Sequence, residues 1–322
     1  MNSQLIGKSI LVTGANGGIG LETVKILADK KLSRLALACR TLEKAEWTKE
    51  QLPENSETRF EPYGGFDMTS PESIKNAVAK LPANEQFDIV FLQSGGIVVA
   101  DDFQFITTGN TAIERTVFQN VLGGYLTVKY LKERELLTPG ARIVFAGGEG
   151  ARGIPGMIEK PVFNSVADFQ EYIQKGRGQY NVMFAIGVSK FASALLVQKL
   201  AQEDSDNTYV WFSPGLTGGT NGLDTMPNPK RFIMKHIGFP MLQLFGVAQS
   251  PKQAALKYVD ALEGKYGENG DIIGAPEGKA LGKLVDQKPM NAGLTNQMLI
   301  EAFWKITTES VGDLKEKMIV NQ

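Results

Sequence analysis

With 322 residues, 43% of them apolar, the chain can bury one large α/β core or two small ones, and 34 lysines and arginines against 35 acids leave it near neutral. No basic run or tail accompanies that balance, so charge gives no reason to expect nucleic acid or an anionic membrane surface as the main partner. The single cysteine, Cys39, and single histidine, His236, exclude an internal disulfide, a Cys/His metal site and a Ser-His-Asp triad.

The acids show no recognisable metal spacing, so no metal is expected and a small molecule is the default ligand. Met1-Asn2-Ser3-Gln4 leads straight into a strand-like run, without the basic and apolar regions of a targeting segment. A cytoplasmic protein with no transmembrane segment is therefore expected.

In chain order, strands are predicted at Ser9–Thr13, Arg34–Ala38, Asp88–Gln93, Arg142–Ala146 and Thr208–Phe212. Helices are predicted at Gly20–Lys30, Ser70–Lys80, Ala112–Glu135 and Ser189–Glu203, each with apolar residues at helical spacing. The alternation predicts an α/β fold: a single-domain, Rossmann-type, doubly wound parallel sheet with helices on both faces. Two stretches break the pattern, about residues 151–185 and 216–251, and are expected to be insertions on the substrate side. Within the second, Arg231–Val247 is rich in Phe, Ile, Met and Leu and reads as an apolar cover, a core segment or a dimer contact. His236, inside it, reads as a structural histidine.

The first strand runs into Thr13-Gly14-Ala15-Asn16-Gly17-Gly18-Ile19-Gly20 and then a helix. A glycine-rich turn at that place suits a dinucleotide. Gly14 allows a tight turn, Gly18 lets the backbone approach a pyrophosphate, Gly20 permits close helix packing, and the exposed helix amides attract phosphate charge. Arg40, just past the second strand, is a cation where an acid would bind the ribose of NAD, and it points to the 2′-phosphate of NADP.

The spacing of Gly14, Gly18 and Gly20 resembles the fingerprint of the short-chain dehydrogenase/reductase family. Over roughly residues 5 to 262 further segments agree in order. Phe66-Asp67-Met68 resembles the family's adenine-contacting segment, and Gln93-Ser94-Gly95-Gly96 stands for its Asn-Asn-Ala-Gly. Asn120 matches the helix asparagine that holds a water in a proton relay, and Ser213-Pro214-Gly215-Leu216-Thr217 resembles the segment that meets the nicotinamide. The ending Ala302-Phe303-Trp304-Lys305-Ile306-Thr307 is similar to the tails of retinol-dehydrogenase-like and protochlorophyllide-reductase-like members. The resemblance implies NADP(H) as cofactor, with Asn16, Ile19, Met68, Ser94 and Gly95 among its contacts. It also implies association between copies through the long helices.

The family's Tyr-x-x-x-Lys helix uses lysine to lower the tyrosine's pKa so that the phenol can pass a proton to the substrate oxygen. Here Lys190 is present, but Ile186 stands at the tyrosine's place and Gly148 at that of the serine that binds the substrate carbonyl. Losing a general acid removes about 10²–10⁴-fold in rate. Replacement candidates are Tyr180 on the first insertion, with Tyr172 nearby, and Glu149 beside Gly148; Gly147-Gly148 would instead open space for a bulky substrate.

The expected function is an atypical NADP(H)-dependent oxidoreductase reducing an apolar or conjugated small molecule, through an activated carbonyl or C=C, without the Tyr/Ser pair. Two alternatives stay open: a lyase or isomerase using Glu149, and an NADP(H)-binding regulatory protein without turnover.

Overall fold

The computed structural model describes residues 4–218 and 247–314. The predicted cover Arg231–Val247, apart from its last residue, and His236 lie outside the described residues.

The strands are β1 (Ser9–Thr13), β2 (Arg34–Ala38), β3 (Arg59–Tyr63), β4 (Phe87–Leu92), β5 (Phe105–Thr108), β6 (Thr111–Glu114), β7 (Leu137–Ala146), β8 (Thr208–Phe212), β9 (Asp271–Gly274) and β10 (Val285–Asp286). Every residue of β1 and β2 is buried, as parallel strands covered on both faces require. All but β5 and β6 form one sheet in the order β10-β9-β8-β7-β4-β1-β2-β3, parallel throughout except for β10. The order reverses between β1 and β4, so the ligand crevice of this Rossmann-type fold opens at their carboxyl ends.

The helices are α1 (Gly18–Ala28), α2 (Leu42–Glu50), α3 (Pro71–Ala79), α4 (Arg115–Val117), α5 (Gly123–Glu133), α6 (Val166–Lys175), α7 (Val182–Glu203), α8 (Pro251–Leu262) and α9 (Gln297–Val311). Alternation along the strands gives the sheet two cores. Ile10, Val12, Val144 and Phe212 pack with Val24 of α1 and Tyr258 of α8 on one face. Leu11, Phe145 and Trp211 pack with α3, α5 and α7 on the other.

β1, β2 and β8 have the predicted limits. β3, β9 and β10 fall outside the predicted strands. β3 reads Arg-Phe-Glu-Pro-Tyr, without an apolar run, and its proline is tolerated because the strand lies at the sheet edge. The helix predicted over Ala112–Glu135 is corrected. Thr111–Glu114 pairs with Phe105–Thr108 as a hairpin across Gly109, which has φ +55°, and helix begins only at Arg115. The switch is made by Glu114, whose carboxylate accepts the N–H groups of Thr116 and Val117 at 2.9 Å each. A single π turn, Phe118–Leu122, then leads into α5.

α7 begins at Val182 rather than Ser189, because Asn181 caps the amides of Met183 and Phe184. The stretch before it is not only surface. Phe169, Tyr172 and Ile173 of α6 are buried, and Phe169 packs its ring on Phe191 and Phe303. α9 lies against α7 and α5: Lys199 pairs with Glu301 at 2.8 Å, Trp304 meets the Tyr125 ring edge-on, and the Tyr125 hydroxyl donates to the Gly312 carbonyl at 2.8 Å. The chain's own α6 and α9 thus cover part of the helix surface through which the resemblance implies association. Among the described residues α7 is long and apolar enough to cross a membrane, and most of it is buried inside the fold.

α7 and β8 are joined at Asp204, whose carboxylate accepts from Lys132 of α5, the Tyr209 hydroxyl and Asn207. Burial works to raise its pKa, and these hydrogen bonds outweigh it, holding the carboxyl below its ordinary value. A depressed carboxylate stabilises the fold above its unfolded pKa and loses that contribution as pH falls through the folded value. Asp204→Asn should cost about 1–3 kcal/mol at pH 7 in urea unfolding, and the gap should close as pH falls below about 4.

Candidate active site

The crevice is closed at its base by Thr13, the last residue of β1. Its hydroxyl accepts the N–H groups of Gln93 and Ser94, at 3.0 and 3.1 Å, and so ties the end of β1 to the loop after β4. Gly14 follows with φ +69° and Gly18 with φ +53°, conformations that disfavour side chains. A Cβ on Gly20 would lie 2.1 Å from the Gly14 carbonyl oxygen, so the turn closes only with glycine there. α1 has Gly17 as its N-cap, no side-chain cap bond and no acid in its first turn. Its free amides, beside half-buried Asn16 and Ile19, suit the charge of a pyrophosphate.

Arg40 is exposed at the end of β2 and makes no ion pair among the described residues. Cys39, beside it, is buried, and desolvation pushes its thiol up to about 11 against weaker hydrogen bonds from Thr48 and the Asn16 and Ala15 backbone. Asp67 is half-buried; one carboxylate oxygen accepts from the Thr69 amide and hydroxyl at 3.0 and 2.7 Å. Met68 is buried against Gly123, where a Cβ would come within 2.7 Å of it.

Asn120 falls in the π turn, a device frequent at functional sites. Its side chain accepts the Gly96 N–H at 3.0 Å and donates to the carbonyls of Gly96 and Thr116 at 2.9 Å each. The amide is therefore a clamp on Ser94-Gly95-Gly96, and it leaves no side-chain donor for the water-holding role that the resemblance implies.

Lys190 on α7 is half-buried, and its Nζ donates to the Ala146 carbonyl at the end of β7, 2.9 Å away. Desolvation pushes its ammonium down to about 8, opposed by the charge of Glu149. Ile186 lies one turn earlier on the same helix. Gly147-Gly148 does not open space for a substrate. A Cβ on Gly147 would sit 2.6 Å from the Trp211 indole, and one on Gly148 would sit 3.2 Å from Cγ of Lys190. The two glycines make room for side chains already present.

Neither replacement proton donor is free. Tyr180 is buried just before α7, where its hydroxyl donates to the Val98 carbonyl at 2.9 Å, lies 3.1 Å from the Thr116 hydroxyl, and has its pKa raised by burial. The Tyr172 hydroxyl is buried without a hydrogen bond, and desolvation raises its pKa too. Glu149 is buried, with both carboxylate oxygens on the Ser213 hydroxyl at 2.7 and 2.8 Å.

The segment after β8 is held from several sides. Gln249 and Lys257 both donate to the Pro214 carbonyl, at 2.7 and 2.8 Å, and Leu216 N–H donates to the Ala280 carbonyl at 2.7 Å. Gly215 has φ +100°, and Thr217 donates back to its carbonyl at 3.0 Å. Gln249 and Lys257 carry no motif; only their contacts in space identify them. Beyond Glu149, a cavity of about 610 Å³ is lined by Arg152, Ile154, Met157, Ile158, Glu277 and Met290 among others. Ile158 leans on Gly187 of α7, next to Ile186.

Residues 8–157 match the family model described as short chain dehydrogenase. Retinol dehydrogenase 12 of Mus musculus is 27% identical over 201 residues, which cover 62% of this chain and 58% of that one. The chain thus spans less than two thirds of that relative's length. In the same fold, L-sorbose reductase from Gluconobacter frateurii, solved with NADPH and L-sorbose, superposes with a TM-score of 0.60 at 16% identity, covering 88% of this chain and all of that one. A protein from Mycobacterium paratuberculosis superposes with a TM-score of 0.65 at 16% identity, over 95% of this chain and 94% of that one.

The glycine turn makes a local test. Gly20→Ala should lower stability by about 1–3 kcal/mol, read from thermal unfolding, because its methyl group must displace the Gly14 carbonyl.

Proposed function

The chain belongs to the short-chain dehydrogenase/reductase family, and from that premise we propose that it is an NADP(H)-dependent reductase of an apolar or conjugated small molecule whose acceptor needs no tyrosine acid. The observation that carries the reading is the contrast within one crevice. The glycine turn, Arg40, Lys190 and the Pro214 segment stand at the carboxyl ends of the strands, which supports a dinucleotide there, while Ile186 and Gly148 offer no proton and Tyr180 and Glu149 are tied elsewhere.

The residues present fit NADP(H). Gly14, Gly18 and Gly20 form the pyrophosphate turn, with Asn16 and Ile19 beside it. Arg40 would meet the 2′-phosphate, Asp67 and Met68 would hold the adenine, and Ser94-Gly95 and Pro214-Gly215-Leu216-Thr217 would hold the nicotinamide end. Bound NADPH would supply a hydride to an electrophilic carbon. In an enone or quinone, conjugation spreads the charge that this hydride brings, so proton transfer asks less of the protein. Lys190 spends one N–H on Ala146, and its other two are available to the ribose and to the acceptor oxygen. With a pKa of about 8 it holds a proton at neutral pH. Ile154, Met157 and Ile158 in the cavity lining, with Ile158 against Gly187 beside Ile186, support an apolar substrate. No contact between copies through α5 and α7 is part of this reading.

Two measurements test it. NADPH should raise the melting temperature more than NADH does, and Arg40→Asp should remove that preference. Incubation with NADPH and a panel of enones and quinones should consume absorbance at 340 nm well above the protein-free rate. NADPH binding with no consumption across the panel would leave a cofactor-binding protein without turnover; product formation with no change at 340 nm would point to a lyase or isomerase.

A further inference from the structure

Glu149 is a buried carboxyl group to which the proposed reaction gives no part. We propose that it is a positioning residue for the nicotinamide end, fixing the Ser213-Pro214-Gly215 segment through Ser213 and serving as the shared counter-charge of Lys190 and Lys257. The inference rests on the NADP(H) reading above.

Glu149 is 4% exposed and opens the short turn that follows Gly148. Its carboxylate takes the Ser213 hydroxyl on both oxygens and the Ala275 N–H on one, at 3.1 Å. One side chain therefore joins the carboxyl ends of β7, β8 and β9. The approach depends on Gly274, where a Cβ would lie 3.2 Å from Oε1. Ser213 immediately precedes Pro214, so the hydroxyl that meets Glu149 also sets the start of the segment.

A carboxylate so buried is costly unless cations offset it. Among the described residues Glu149 makes no direct ion pair. Both lysines lie beside it: the Lys190 stem lies against Gly148, the residue before Glu149, where a Cβ would sit 3.2 Å from its Cγ, and Lys257 bonds the carbonyl of Pro214, the residue after Ser213. The other charged and titratable groups that sense its charge are Arg152 on its own turn and Tyr258 on α8. Arg152 is anchored elsewhere, on Gln287 and the carbonyls of Gly153, Ala275, Pro276 and Lys279. The two lysines bind the walls of the crevice instead, Lys190 on the Ala146 carbonyl and Lys257 on the Pro214 carbonyl. Burial lowers the pKa of both, and the charge of Glu149 opposes that fall.

The test separates charge from position. The pH dependence of Lys190 acetylation by acetic anhydride, followed by mass spectrometry, reads its ionisation without cofactor or turnover. In Glu149→Gln the midpoint should move to lower pH, and in Glu149→Asp, which keeps the charge, it should return toward wild type. Ser213→Ala should leave that midpoint unchanged and weaken NADPH binding roughly tenfold, by fluorescence titration. An unmoved Lys190 midpoint in Glu149→Gln overturns the counter-charge role, and unchanged NADPH affinity in Ser213→Ala overturns the positioning role. Should Glu149→Gln not fold, Glu149→Asp and Ser213→Ala still decide the positioning role through NADPH affinity. If the wild-type chain binds no NADPH, the cofactor reading fails while the acetylation profile still decides the counter-charge role.

Discussion

The closure of the first turn against the seam between β1 and β4 is the constraint from which the crevice follows. Thr13 holds the loop after β4 through two backbone amides, and the Gly14 carbonyl sits where any side chain at Gly20 would be. This contact brings the start of α1 to the place where the sheet order reverses, so that unpaired helix amides face the crevice. Without the glycines the helix would stand away from the strand and those amides would have no common focus.

Around that fixed corner, packing has taken over the positions at which the family's chemistry is done. The glycine at 147 admits the Trp211 indole and the one at 148 lies on the stem of Lys190. Tyr180 is spent on bracing the segment near Val98 against Thr116, and Asn120 on clamping Gly96. Tyr180 and Asn120 each have structural partners at hydrogen-bond distance, so neither is left over as a proton donor. Lys190 is the exception, because one short bond to Ala146 leaves two of its protons uncommitted.

The first insertion shows how local and tertiary signals divide. α6 is amphipathic, yet its apolar face has meaning only once α9 returns from the far end of the chain to meet it at Phe169 and Phe303. The same return covers part of α5 and α7. Residues at such separation in sequence share no pattern that periodicity could reveal.

The sequence by itself determined the doubly wound sheet, the strands that are apolar throughout, the glycine turn with Arg40 beyond it, and the presence of Lys190 without a tyrosine one turn before it. These are legible because burial on both faces and the needs of a tight turn restrict residue type locally. β3 and the hairpin before α4 were not legible, since an edge strand tolerates polar residues and Pro62, and Glu114 starts its helix through a side-chain bond rather than a periodicity. Only the tertiary structure decided where Tyr180 and Glu149 point, what fills the space at Gly147 and Gly148, and that Gln249 and Lys257 hold Pro214. The physical reason is that a hydrogen bond or a filled cavity between distant segments depends on where the backbone brings them, and residue identity carries no record of that distance.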